Sequence, residues 1–378
     1  MIRQRRDLAD VRRMVVKIGS SLLADPEGGV RQAEVERFAA EIAALHKRGI
    51  EVAIVSSGAV ALGCVHLGWV GRKLSVHEKQ AAAAIGQPAL MHAYSQAFAE
   101  HGLKVAQMLL TKDDLRHRRR YLNASNTSET LFDAGIVPIV NENDTVVVQE
   151  IKFGDNDNLA ALVGLMIDAG LLAVLTDVEG LFTRNPAICA DAERIGLVRS
   201  ITPEIMEMAG DEGSDFGTGG MASKLRAASI ATRGGVATAI LSGHAHGVLA
   251  KLLAGEEIGT LFACGVDRQT RRQHWIAEVL TVSGRIRIDA GAARAIVSQG
   301  GSLLPVGVTA VEGGFDKGEC VEIIDDAGRL VARGLCNYSA EEMQRLIGVA
   351  SHEIEQVLGY SDFSSVVHRD NLALMKEA

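Results

Sequence analysis

The chain has 378 residues, 47% of them hydrophobic but only 4% aromatic, with 40 glycines, 6 prolines and a formal net charge of −8. That length can bury a substantial core over two or three domains without disulfides or a structural metal, and an aliphatic, glycine-rich interior argues against a β-sandwich or an aromatic stacking platform. The acidic balance excludes a molecule drawn as a whole to polyanions, so any nucleic-acid contact would need a local basic patch.

The first apolar run, Val11 to Ile18, reads as a strand that carries a single charge near its end, in Val15-Val16-Lys17-Ile18-Gly19-Ser20-Ser21. An ammonium on an apolar strand is costly unless it emerges at the strand's end beside a partner; an exposed edge lysine is the plain alternative. Helical spacing over Arg31 to Arg48 leads to a second strand, Val52 to Val55. That strand runs into Ser56-Ser57-Gly58-Ala59-Val60, where small residues open a helix and expose hydroxyl and N–H groups. Tight strand-to-helix packing would explain the same residues.

An Ala-rich helix is expected around Glu78 to Glu100, then a strand at Lys104 to Leu110, a helix near Asn123 to Ala134 and a strand at Ile136 to Val140. Two acidic segments follow: Val140-Asn141-Glu142-Asn143-Asp144-Thr145 after the strand, and Lys152-Phe153-Gly154-Asp155-Asn156-Asp157-Asn158 opening a helix near Leu159 to Ala169. Turns and caps account for such residues, yet their density also suits a site for the ammonium and carboxylate of an amino acid. The strand Leu171 to Thr176 ends in Thr176-Asp177-Val178-Glu179-Gly180, side chains able to meet a base and ribose or to cap a helix.

Gly217-Thr218-Gly219-Gly220-Met221-Ala222-Ser223-Lys224 then precedes a helix near Ser223 to Arg233 and a strand at Val236 to Leu241. Its glycines let backbone N–H groups turn toward an anion, with a second lysine beside them. Two such lysines and a carboxylate-rich stretch between them point to phosphoryl transfer, in which the protein supplies positive charge and positioning; one carboxylate set between the lysines would hold both.

The βα alternation through about residue 265 predicts an α/β fold with a largely parallel sheet covered on both faces, ligands lying at the carboxyl ends of its strands. After a charged segment near Arg268 to Gln273, short β-type pieces separated by glycine turns predict a smaller second domain, with Asp325-Asp326-Ala327-Gly328 as a hairpin turn. The expected division is 1–268, 274–350 and a tail 351–378.

The five cysteines, Cys64, Cys189, Cys264, Cys320 and Cys336, have no Cys-x-x-Cys spacing and read as buried free thiols of a reduced, cytoplasmic compartment. The charged start lacks a signal peptide's apolar region, and no apolar run reaches the ~18 residues of a membrane helix. His244-x-His246 lacks further metal ligands, and Arg116 to Arg120 reads as a solvated helix face or subunit contact.

Taken in this order, Val-Val-Lys-Ile-Gly-Ser-Ser, Ser-Ser-Gly-Ala-Val, Asn-Glu-Asn-Asp, Gly-Asp-Asn-Asp-Asn, Leu-Thr-Asp-Val-Glu-Gly-Leu and Gly-Thr-Gly-Gly-Met-Ala-Ser-Lys resemble the bacterial glutamate 5-kinases of the amino acid kinase family. The likeness extends to a C-terminal PUA-like part, in Gly301-Ser302-Leu303-Leu304-Pro305-Val306-Gly307 and Gly313-x-Phe315-x-Lys317-Gly318-Glu319. It implies a three-layer αβα sandwich with a smaller β-rich PUA-like domain. It further implies ATP-dependent phosphorylation of L-glutamate to L-glutamyl 5-phosphate, the first step of proline synthesis.

By motif, Lys17 and Lys224 would stabilise the transferring phosphoryl group with Asp157 orienting them. Ser57, Asp144, Asp155 and Asn156 would surround glutamate. Lys17, Thr176, Asp177 and the turn Thr218, Gly219, Gly220, Met221, Ala222, Ser223, Lys224 would meet ATP, with Mg2+ bridging its phosphates. The resemblance also implies a homo-oligomer and proline as feedback inhibitor; the PUA-like part reads as mainly structural or regulatory, with RNA as the alternative partner. The alternatives are a kinase with another acyl acceptor, or an RNA-binding or RNA-modifying protein.

Overall fold

The computed structural model describes residues 2–25, 27, 29–146, 155–186, 188–189, 191–208, 220–265, 273, 276–277 and 280–375. They group into two compact units, Met1–Lys112 with Ala124–Val266, and Asp113–Asn123 with Asp267–Ala378.

In the first unit, runs of Val, Ile, Leu and Ala with few polar interruptions form strands, the central ones buried on both faces and the edge strand Lys104–Leu110 partly exposed. These are β1 (Arg13–Ile18), β2 (Glu51–Ser56), β3 (Lys104–Leu110), β4 (Ile136–Glu142), β5 (Leu171–Thr176), β6 (Leu197–Val198), β7 (Ala237–Ser242) and β8 (Thr260–Phe262). They assemble in the order β3-β4-β2-β1-β5-β7-β8-β6. The six strands from β3 to β7 in that order run parallel, and β8 turns antiparallel to β7.

Side chains alternate across the sheet. Met14, Val16 and Ile18 enter a core shared with helix α1 (Gln32–Lys47), which contributes Val35, Phe38 and Ile42. Leu90, Tyr94 and Phe98 of α3 (Val76–Ala99) join the same core. Burying each such side chain contributes roughly 1.5–3 kcal/mol. Val15 and Lys17 point to the opposite layer, where Gly164 of α4 (Asp155–Met166) lies beside Val15 and α4 packs on α5 (Met221–Arg233). The result is a three-layer αβα sandwich.

Helix α2 (Ala59–Leu67) begins at Gly58, whose φ of +108° disfavours any residue with a Cβ. Helices α2 and α3 cross in backbone contact: a Cβ at Gly63 would overlap the Ala82 carbonyl, and one at Gly86 the Ala59 carbonyl. Ser75 starts α3 with a capping box, its hydroxyl accepting from Glu78 N at 3.3 Å while the Glu78 carboxylate accepts from Ser75 N at 2.8 Å.

The second unit holds a mixed sheet of β9 (Val282–Ile288), β10 (Val308–Gly313), β11 (Cys320–Ile324), β12 (Leu330–Leu335) and β13 (Leu372–Leu374), ordered β10-β9-β11-β12-β13. Two further helices, Ala290–Gln299 and Ala340–Leu346, cover its core of Ile286, Ile323, Tyr338 and Met343. Asp325–Gly328 forms the β11–β12 hairpin turn, with Gly328 at φ +80°.

Two helices start earlier than their apolar spacing suggests. Asp155–Met166 begins four residues before Leu159, where carboxylates suit the positive end of a helix dipole. Arg118–Asp133 begins inside the arginine run, where no apolar periodicity marks it. That run lies in the segment grouped with the second unit, and there His117 faces Glu319 at 3.3 Å. Among the described residues no helix is long and apolar enough to cross a membrane.

Candidate active site

The carboxyl ends of β1, β2, β4 and β5 line up, because Ile18 pairs with Ser56 and Leu175, and Val55 with Val140. Lys17 emerges there from the central strand, only 5% exposed. Its ammonium lies 2.6 Å from Oδ1 of Asp157, which is fully buried in the first turn of α4. From the neighbouring helix α5, Lys224 brings a second ammonium to 3.5 Å from Asp157 Oδ2, and the Ser223 hydroxyl donates to the same oxygen at 2.7 Å.

Two ammonium groups share the one carboxylate of Asp157, and among the described residues the next acidic group felt by Lys224 is the exposed Asp177. Paired ammonium groups out of water suit a bound anion. Burial on its own would raise the Asp157 carboxyl, but the Lys17 and Lys224 charges and the Ser223 hydroxyl hold it below its ordinary value. Burial, reinforced by Lys17, pushes the Lys224 ammonium down, with Asp157 opposing.

One residue before Asp157 a second cluster begins. Asn156 Nδ2 is shared by the Ser56 carbonyl, Ser57 Oγ and Asn141 Oδ1, each at 3.0 Å. Asn141 Nδ2 in turn donates to Gln87 Oε1 of α3 at 2.7 Å, and the Ser56 hydroxyl meets the buried Tyr94 hydroxyl at 3.0 Å. Asp144 stands on the short turn after β4, where burial and then the charge of Glu142 push its carboxyl up to about 7. Burial also raises Glu142, against the pull of Lys112.

On the other side of β1, the Thr176 carbonyl accepts from Gly243 N at 2.7 Å and its hydroxyl donates to Asp177 Oδ1 at 2.9 Å. Gly220 caps the thirteen-residue helix α5, so Gly220, Met221, Ala222 and Ser223 present that helix's positive end. Thr218 and Gly219 lie outside the described residues, as does the side chain of Asp155; its backbone opens α4.

A model described as the amino acid kinase family matches residues 12–242, and a PUA domain model matches 284–358. The chain is 53% identical to a glutamate 5-kinase of Trichlorobacter lovleyi, over 97% of this chain and 98% of that one. Glutamate 5-kinases of Geobacter sulfurreducens and Ralstonia nicotianae are each 50% identical over 97% of the chain, covering 99% and 98% of their own lengths. The chain belongs to the amino acid kinase family. Its relatives place it in the glutamate 5-kinase branch, with a C-terminal PUA domain.

In this amino acid kinase the motif residues Lys17, Asp157, Ser223 and Lys224 converge, and Ser57 joins Asn156. Sequence reasoning missed Gln87 and left Asn141 without a role. A signal existed for the first: Gln87 is a polar residue at helical spacing among the buried Ala82, Ala83, Gly86 and Leu90.

Proposed function

We propose that the chain transfers the γ-phosphoryl group of ATP to the γ-carboxylate of L-glutamate, forming L-glutamyl 5-phosphate and ADP, the first step of proline synthesis. The observation that carries this reading is the pair of buried ammonium groups around Asp157, next to an amide cluster at the same sheet end. A glutamate γ-carboxylate is already ionised at neutral pH, so it attacks phosphorus without a general base. A new P–O bond forms to that carboxylate, the bond from γ-phosphorus to the bridging oxygen breaks, and ADP leaves with the electron pair.

Lys17 and Lys224 neutralise charge that spreads over the transferring group, and Asp157 keeps both in place. Ser57, Asp144, Asp155 and Asn156 surround glutamate; Thr176, Asp177 and the turn from Thr218 to Lys224 meet ATP. Among the described residues no group of three His, Cys, Asp or Glu is placed to hold a metal, and Asp157 is taken up by its lysines. A Mg2+ ion carried on the nucleotide's phosphates would neutralise charge there, and the exposed Asp177 carboxylate beside Thr176 is a residue that would help to hold it. Proline as feedback inhibitor, a homo-oligomer, RNA at the PUA domain and a cytoplasmic setting belong to the same proposal, resting on the kinship above.

The test is direct. Purified protein with ATP, magnesium and L-glutamate should release ADP and, with hydroxylamine present, yield γ-glutamyl hydroxamate, with aspartate a poor substitute. No glutamate-dependent ADP release would refute the reading.

A further inference from the structure

Backbone groups dictate the polarity of the amide cluster. The Glu142 N–H donates to Asn141 Oδ1 at 2.9 Å, and a backbone N–H cannot exchange roles. Asn141 must therefore turn Nδ2 the other way, where it meets Gln87 Oε1 at 2.7 Å. Asn156 is fixed likewise: its Nδ2 donates to the Ser56 carbonyl at 3.0 Å, so its Oδ1 is an acceptor. That oxygen is buried with no hydrogen-bond partner among the described residues. Native proteins rarely leave such an atom unpaired, and it calls for a donor.

We propose that Gln87 is a positioning residue for the amino-acid substrate. The Glu142 N–H and the Ser56 carbonyl set the polarity of the two amides; by accepting from Asn141 Nδ2, Gln87 anchors the other end of that side chain, so that Asn141 Oδ1 stays against Asn156 Nδ2 and Asn156 Oδ1 is held in place for the substrate's α-ammonium group. The inference rests on the glutamate kinase reading and adds a residue from outside every motif in the sequence. Packing does not account for a glutamine here, since among the described residues its own Nε2 is also buried without a partner, whereas methionine would fill the space with no orphaned donor. Its place is set by Gly86, the neighbouring residue, through which α3 touches α2.

The experiment compares the full-length parent, Gln87→Met and Gln87→Glu in steady-state kinetics, with thermal unfolding of each. Gln87→Met is expected to raise KM for glutamate roughly ten-fold or more while kcat and KM for ATP stay within about three-fold. Gln87→Glu keeps an oxygen opposite Asn141 and is expected to recover most of that affinity. The parent's preference for glutamate over glutarate, which lacks the ammonium group, should shrink in Gln87→Met by a similar factor. An unchanged KM for glutamate, an unchanged preference over glutarate, or no recovery in a folded Gln87→Glu would overturn the inference. Absence of glutamate-dependent turnover in the parent would instead overturn the kinase reading.

Discussion

Lys17 and Asp157 form the close half of an uneven arrangement: their charged atoms are 2.6 Å apart, whereas Lys224 stands 3.5 Å from the other carboxylate oxygen. The carboxylate is thereby anchored on the central strand, and the Ser223 hydroxyl occupies the oxygen that faces Lys224. Of the two lysines, Lys224 is thus the one held less closely by this carboxylate.

Lys17→Ala and Lys224→Ala are each expected to lower kcat about a thousand-fold, the scale of losing a charge that stabilises the transferring group. Either variant leaves one lysine balancing Asp157, so circular dichroism should match the parent. Near-normal turnover in a folded variant would remove that lysine from the mechanism.

Asp157→Asn creates a different problem, because two buried ammonium groups then lose the carboxylate they share. The expected loss is about 3 kcal/mol or more of stability, larger than for either lysine variant. Thermal unfolding checks this, and ATP should restore part of the loss by supplying negative charge. An unfolding temperature equal to the parent's would show that the carboxylate is not what keeps the lysines together.

Asp144 makes the pH dependence specific. Its carboxyl is raised from 3.8 to about 7, so the folded protein keeps a proton that the unfolded chain has already lost. The stability this proton brings is fully present below about 3.8 and disappears as pH rises through about 7. Asp144→Asn should flatten the unfolding profile across that window. If the substrate's ammonium lies beside Asp144, it selects the ionised form, so glutamate binding near pH 6 should release a proton. Calorimetry in buffers of different ionisation enthalpy measures that release; none would place the ammonium elsewhere.

Gly86→Ala is expected to destabilise the protein by about 1–3 kcal/mol, since its methyl would meet the Ala59 backbone rather than a side chain able to move. Because Gln87 travels with α3, weaker glutamate binding should accompany the fall in unfolding temperature. Full stability would mean that the crossing relaxes easily.

Local burial was legible in the residues alone. Leu171–Thr176 is found where its apolar run begins and ends, since a strand buried on both faces leaves an unbroken signal; the half-exposed edge strand Lys104–Leu110 is found at its expected bounds as well. Lys17 was legible for the converse reason, as a charge that an apolar strand tolerates only beside a partner. Helix starts at Asp155 and Arg118 were harder to read, because polar first turns carry no apolar period.

Sheet order was decided by tertiary structure. Lys17, Asp157 and Lys224 share one cluster because β1 lies between β2 and β5 and its alternation turns Lys17 toward the layer of α4 and α5. The link from Gln87 through Asn141 to Asn156 likewise exists only once α3 rests against the end of β4. Periodicity records which side chains leave water. Which distant polar groups then meet depends on strand order and helix crossing, and these are set by the packing of the whole sheet.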